Sequence, residues 1–268
     1  MSSLSNFKKS ALILLLASSL AACGDNDNND SIEEQEPVVV VEPEPVVYEF
    51  TITFSNLTAG QPLSPLSVIA FDETPPWKFG ETASVGLEMI AESGANEEYL
   101  SDENALASVS AEGGIGPGET TSVTLLVDAQ DVLNLSFAAM LGNTNDAFTG
   151  LSSVDVSTLE VGSSISQTTP AYDAGTEANI ETADTVPGPA AGGEGFNEIR
   201  DDIADIITMH PGVVSNQDGL SNSTKMGNSH VSAAPNPQIA GRIHLSLASK
   251  RVWGRAFRKC AEPWMAEP

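Results

Sequence analysis

Hydrophobic and polar positions alternate most strictly near the start of the apolar part of the chain. Tyr48, Phe50, Ile52 and Phe54 interleave with Glu49, Thr51, Thr53 and Ser55, the two-residue period of a strand with one buried face. Leu66 to Phe71, Thr121 to Val127 and Leu133 to Met140 are short apolar or β-branched runs bounded by Gly, Pro, Asn or Asp, and they predict further strands. Between them the period lengthens. Val85, Leu87, Met89, Ile90 and Ala91, then Tyr99, Leu100, Ala105 and Leu106, sit among Glu and Ala with helical spacing, interrupted by Ser93-Gly94-Ala95. This pattern predicts two short helices. Gly113 to Gly118 reads as a turn and Pro187 to Gly195 as a Gly/Pro-rich loop. Strands dominate, so the expected class is mainly β: an antiparallel β-sandwich with one or two short helices and long loops.

The N-terminus follows another pattern. Lys8 and Lys9 precede an apolar run, Ala11 to Leu20, that closes on Leu20-Ala21-Ala22-Cys23. A membrane-spanning helix needs roughly twenty apolar residues, so this shorter run with small residues at its end predicts a removable export signal over residues 1–22. The small-small-Cys ending predicts lipidation of Cys23. Each acyl methylene buried in a bilayer contributes about 0.8 kcal/mol, and two or more chains give stable attachment. The expected location is the cell envelope, lipid-anchored, with the outer membrane as default because Gly24 follows the cysteine where an aspartate would mark inner-membrane retention. Residues 23–46 then read as an acidic, Pro-rich tether, with an Asp/Asn run followed by Pro37, Pro43 and Pro45.

Charge narrows the partners. The 268 residues carry a formal net charge of −26, and between Cys23 and Gly241 only Lys78, Arg200 and Lys225 are basic. Such a surface repels a phosphate backbone, which excludes nucleic acid as a partner, and it favours divalent cations. Individually most of these acids serve solubility. The only other cysteine is Cys260, so once Cys23 is lipidated no internal disulfide is available, and a domain over residues 47–247 must be held by packing or metal.

Four segments, in order, resemble the spondin N-terminal domain family. They are Asn56-Leu57-Thr58-Ala59-Gly60-Gln61-Pro62-Leu63-Ser64-Pro65, Phe79-Gly80-Glu81-Thr82-Ala83-Ser84 with Ala91-Glu92-Ser93-Gly94, Asn143-Thr144-Asn145-Asp146-Ala147-Phe148-Thr149-Gly150, and Tyr172-Asp173-Ala174-Gly175-Thr176-Glu177. The resemblance covers roughly residues 48–241. It implies a variant of the C2-like β-sandwich and a binding activity in adhesion or matrix contact, with a glycan or a matrix or surface protein as ligand. By the same resemblance Asp146, Asp173 and Glu177 match calcium-binding acids. Their chemistry agrees, because calcium takes six to eight oxygens from carboxylates, carbonyls and water, and loops supply both kinds. Extracellular modules bind it with dissociation constants on the order of 10⁻⁴ to 10⁻³ M. Read without the resemblance, Asp146 is a turn former or helix cap and Asp173 a turn residue before Gly175.

Catalytic readings find little support. His210, His230 and His244 lack metal-ligand spacing and no nucleophile motif accompanies them. Gly192-Gly193-Glu194-Gly195 lacks the Lys-Ser/Thr pair of a phosphate loop. The expected protein is therefore not an enzyme; a structural envelope lipoprotein and a two-carboxylate hydrolase are the alternatives. From Arg242 onward the balance reverses to six basic and two acidic residues, with Trp253 and Trp264. Residues 248–268 read as an atypical basic tail, frameshifted or disordered, or an amphipathic segment facing lipid.

Overall fold

The computed structural model describes residues 46–128, 134–178, 182–200, 205–212 and 239–252. Among them are nine strands and two short helices: β1 (Val46–Asn56), β2 (Ser67–Phe71), α1 (Val85–Ser93), α2 (Glu97–Leu100), β3 (Ala107–Ser110), β4 (Thr120–Asp128), β5 (Asn134–Met140), β6 (Ala147–Asp155), β7 (Ser164–Asp173), β8 (Thr208–Met209) and β9 (Ile239–Val252). The class is mainly β with antiparallel pairing throughout. Strand order is β3-β2-β5-β6-β7-β9-β1-β4, and β8 pairs with β7 off this path. The expected signal segment, Cys23 and all of the expected tether but Val46 lie outside the described residues, as do His230, Trp253, Cys260 and Trp264. No described helix is long and apolar enough to cross a membrane.

Periodicity and packing agree strand by strand. In β1, Tyr48, Phe50, Ile52 and Phe54 are buried while the residues between are partly exposed, and in β4 Val123, Leu125 and Val127 are buried between exposed neighbours. Their inward faces join one cluster with Val68, Leu135, Phe137, Ala139, Ile243 and Leu245. β2 and β5 do not alternate, because both of their faces are covered. Ile69, Phe71, Ala138, Met140 and Phe148 point to the outer side, where Trp77, Leu87, Ile90, Tyr99 and Ile207 pack on them. Helix α1 is the main lid of that second cluster. Its N-cap Ser84 accepts the Leu87 N–H, and it stops at Gly94, whose φ of 74° needs a residue without a Cβ.

Three boundaries differ from the sequence reading. Ala105 and Leu106 are not helical: α2 ends at Leu100, and the Leu106 N–H bonds the Ala70 carbonyl at the entry to β3. β1 starts at Val46, and β9 runs to Val252, beyond the expected boundary at 247. The first residues assigned to a basic tail thus belong to the sheet. Lys250 sits 4.8 Å from the centre of the Tyr48 ring and Ser249 donates to Glu49 at 2.9 Å, so these residues continue β9 by pairing with β1.

β7 joins the two groups of strands. Its first part pairs with β9, and after a register shift at Thr169/Pro170 its last residues pair with β6 and β8. Pro170 offers no N–H, and the ladder shifts there, with Pro170 still opposite Ile239. The Thr149 hydroxyl bonds both the Thr169 hydroxyl and the Pro170 carbonyl at 2.8 Å. This bend carries Asp173 to the end of β6.

Candidate cation site at the end of β7

Register brings two of the three expected acids together. Ala147 pairs with Asp173, so Asp146, the residue before β6, and Asp173, the last residue of β7, stand at one end of the sheet. The turn leading into β6 is buried throughout, from Asn143 to Asp146. Inside it the Thr144 hydroxyl donates to the Leu141 carbonyl and accepts the Ala147 N–H. Short polar side chains here replace backbone partners that a buried turn would otherwise lack.

The 173–177 loop folds around the Asp146 carboxylate. Its Oδ2 accepts the N–H groups of Thr176 and Glu177, both at 3.1 Å, and its main-chain oxygen accepts the Ala174 N–H at 3.1 Å. Asp173 Oδ1 accepts the Gly175 N–H at 2.8 Å, which is the turn-forming role expected of it. Gly175 has φ 70°, and a Cβ there would run into the backbone of Ile206, so glycine is required twice over. Asn145 closes the loop by donating to the Ala178 carbonyl at 2.9 Å.

Asp146 is fully buried, and its second oxygen, Oδ1, has no hydrogen-bond partner. Burial pushes its pKa well above the usual carboxylate range; the neighbouring Asp173 and Glu177 charges push the same way, and the two N–H bonds oppose them. The ionised form of a buried carboxyl with an orphaned oxygen beside a second buried carboxylate is costly, and either a proton or a cation relieves that cost. Carboxylate oxygens on Asp146 and Asp173 are donors of the kind a hard cation takes. Glu177 contributes its N–H and its charge. Among the described residues no three acids, histidines or cysteines are gathered into one metal-holding group.

Asn56, Thr58 and Gln61 support this turn. Asn56 Nδ2 donates to the carbonyls of Gln61 and Ile115 at 2.8 and 2.9 Å, and the Thr58 hydroxyl donates to Asn56 Oδ1 at 2.7 Å. Gln61 in turn holds both main-chain groups of Asn143. The Asn143 side chain accepts the Ala190 N–H at 2.9 Å, which ties the Gly/Pro-rich loop to the same turn. The sequence reading missed Gln61 and Asn143 as supports of Asp146; the signal was amide residues amid small ones. His210 is buried, accepts the Gly212 N–H on Nδ1 at 3.0 Å, and has its pKa pushed down to about 4 by burial. His244 lies on β9 with its side chain exposed.

No protein-family model matches the chain, and no curated protein matches it.

Proposed function

We propose that this chain is a membrane-anchored, extracytoplasmic binding module of spondin type, non-catalytic, in which a calcium ion at Asp146, Asp173 and Glu177 orders the loops used for adhesion. The reading takes its fold as a C2-like antiparallel β-sandwich and its anchor as lipidated Cys23. Its ligand is a glycan or a matrix or surface protein. The observation that carries it is the fully buried Asp146 carboxylate, with one oxygen lacking a partner, beside Asp173. A cation there offers a partner to the Asp146 oxygen that has none, and it joins two loops that strand register already brings together. When bound, calcium offers a divalent positive charge satisfied by oxygen donors; the protein's part is to hold those donors on β6 and β7.

The experiment is a calcium titration of the chelator-stripped full chain, following the melting temperature beside Asp173→Ala. A ligand that binds only the folded state stabilises it by about 2.7 kcal/mol at one hundred times its dissociation constant. The reading expects a calcium-dependent rise in the wild type that the variant lacks. No rise at millimolar calcium overturns the site.

A further inference from the structure

The strand order ends on β3 and β4, and no ladder joins these two strands among the described residues, so within that set each keeps one unpaired edge. The two edges flank a cavity of about 400 Å³, lined by Val109 and Ser110 of β3, by Thr120 to Thr124 of β4 and by the turn between the strands. β4 is the longer, with nine residues. Proteins usually guard such an edge with Pro, Lys, a bulge or a very short strand. β4 holds no Pro and no Lys, and its register on β1 is unbroken. Every second residue of an antiparallel strand turns its N–H and C=O away from the partner it is paired with. Another extended backbone presents groups at the spacing that satisfies them.

We propose that this groove binds an extended basic segment of another protein, added as a strand antiparallel to β4. The groove's side chains set the pattern that segment needs. Ile115 and Val123 belong to the core cluster and Val109 packs against it, so the inner side is apolar. On the other face the Thr120 and Ser122 hydroxyls pair with those of Ser55 and Thr53 on β1 at 2.9 and 3.2 Å. A strand beside them continues both rows, with small apolar residues facing in and Thr or Ser facing out. Charge fixes the rest. Glu112 and Glu119 stand at the turn end of the groove, and none of its lining residues is basic. β4 runs away from that turn, so a strand antiparallel to it runs toward the two acids and carries its Lys or Arg in its C-terminal part. No lining residue belongs to the Asp146 site, and the proposal stands independently of the cation reading.

Amide hydrogen exchange of the full chain, read residue by residue by NMR, tests it with a capped peptide as long as β4, alternating Val and Thr with Lys in place of its last two Thr. Without peptide, every second β4 amide from Thr120 to Thr124 should exchange fast. Those amides should slow about tenfold once the peptide reaches ten times its Kd. Replacing Glu112→Gln and Glu119→Gln together keeps an acceptor for the Gly116 N–H that Glu119 now takes, and it should weaken the peptide by about three- to tenfold. No slowing at millimolar peptide overturns the proposal. Equal slowing by a peptide with Pro at its centre also overturns it, because strand pairing needs that N–H. Unchanged affinity in the doubly substituted chain removes the basic chemistry from it. Full protection of these amides without peptide means that this chain or a second copy already fills the groove, and it overturns the proposal too.

Discussion

Gln61 and Asn143, 82 residues apart, bond as two strand residues would: the Gln61 side chain donates to the Asn143 carbonyl at 3.2 Å and accepts the Asn143 N–H at 2.8 Å. A side-chain amide thereby stands in for a missing strand at the turn that delivers Asp146. Gln61→Leu leaves both Asn143 groups buried without partners. At about 1–3 kcal/mol for each of the two unsatisfied groups, the expected loss is about 2–6 kcal/mol of stability, measured by urea unfolding. Calcium affinity should fall too, because the Asn143 to Asp146 turn loses its clamp. A variant as stable as wild type would show that the turn is held by its own hydrogen bonds.

Asp146→Asn separates stability from ion binding. An amide oxygen still accepts from Thr176 and Glu177, while the charge that Asp173 repels is gone. In chelator the variant should be more stable than wild type by about 0.5–2 kcal/mol, as is common where a binding site is held against its own electrostatics. In calcium the order should reverse, because the variant gains nothing from the ion. Melting curves in chelator and in calcium read both effects on one preparation.

The pH dependence of the calcium-free protein follows from two groups of opposite sign. Asp146 has its folded pKa raised, to about 8, so the native state binds the proton more tightly and stability falls as pH rises toward that value. His210 has its folded pKa lowered to about 4, so its contribution is lost as pH falls from about 6.5 toward 4. Below pH 6.5 the two oppose; between about pH 6.5 and 8 the Asp146 slope stands alone. In chelator the melting temperature should fall across that upper window. Saturating calcium should remove the slope, since the ion holds the carboxylate ionised at every pH in the window. An equal slope with and without calcium would place the ion elsewhere.

The strands readable from sequence are those whose environment repeats along the chain. β1 and β4 alternate because one face meets the core and the other meets solvent, and β2 and β5 read as apolar runs because α1 covers their outer face. β7 left no such trace. Its first half, Ser-Ile-Ser-Gln-Thr, is mostly exposed, and its second half turns at Pro170 to join other strands. The far end of β9 was hidden for a similar reason: Lys250 and Arg251 look like a tail, and their stabilising partners, Tyr48 and Glu49, are remote in sequence. At the site, resemblance supplied Asp146, Asp173 and Glu177.

Arg200 fastens the segment after the Gly/Pro-rich loop to α1, and its removal should cost more than its partial exposure implies. Its side chain is 24% exposed, but Glu88 beneath it is 4% exposed, so Arg200→Met strands a buried carboxylate rather than a surface one. Breaking a buried pair costs about 3–5 kcal/mol, and the exposed side of the guanidinium, screened by water, brings the expectation down to about 2–4 kcal/mol. Replacing both partners, Glu88→Leu with Arg200→Met, should recover most of that loss, because apolar side chains of similar volume leave no charge to compensate. The coupling energy from the cycle of single and double variants in urea should therefore be large and favourable to the pair. If Arg200→Met alone costs less than about 0.5 kcal/mol, then water reaches Glu88 well enough to replace the guanidinium, and the segment around Asn197 that bonds Glu92 is held by its backbone instead.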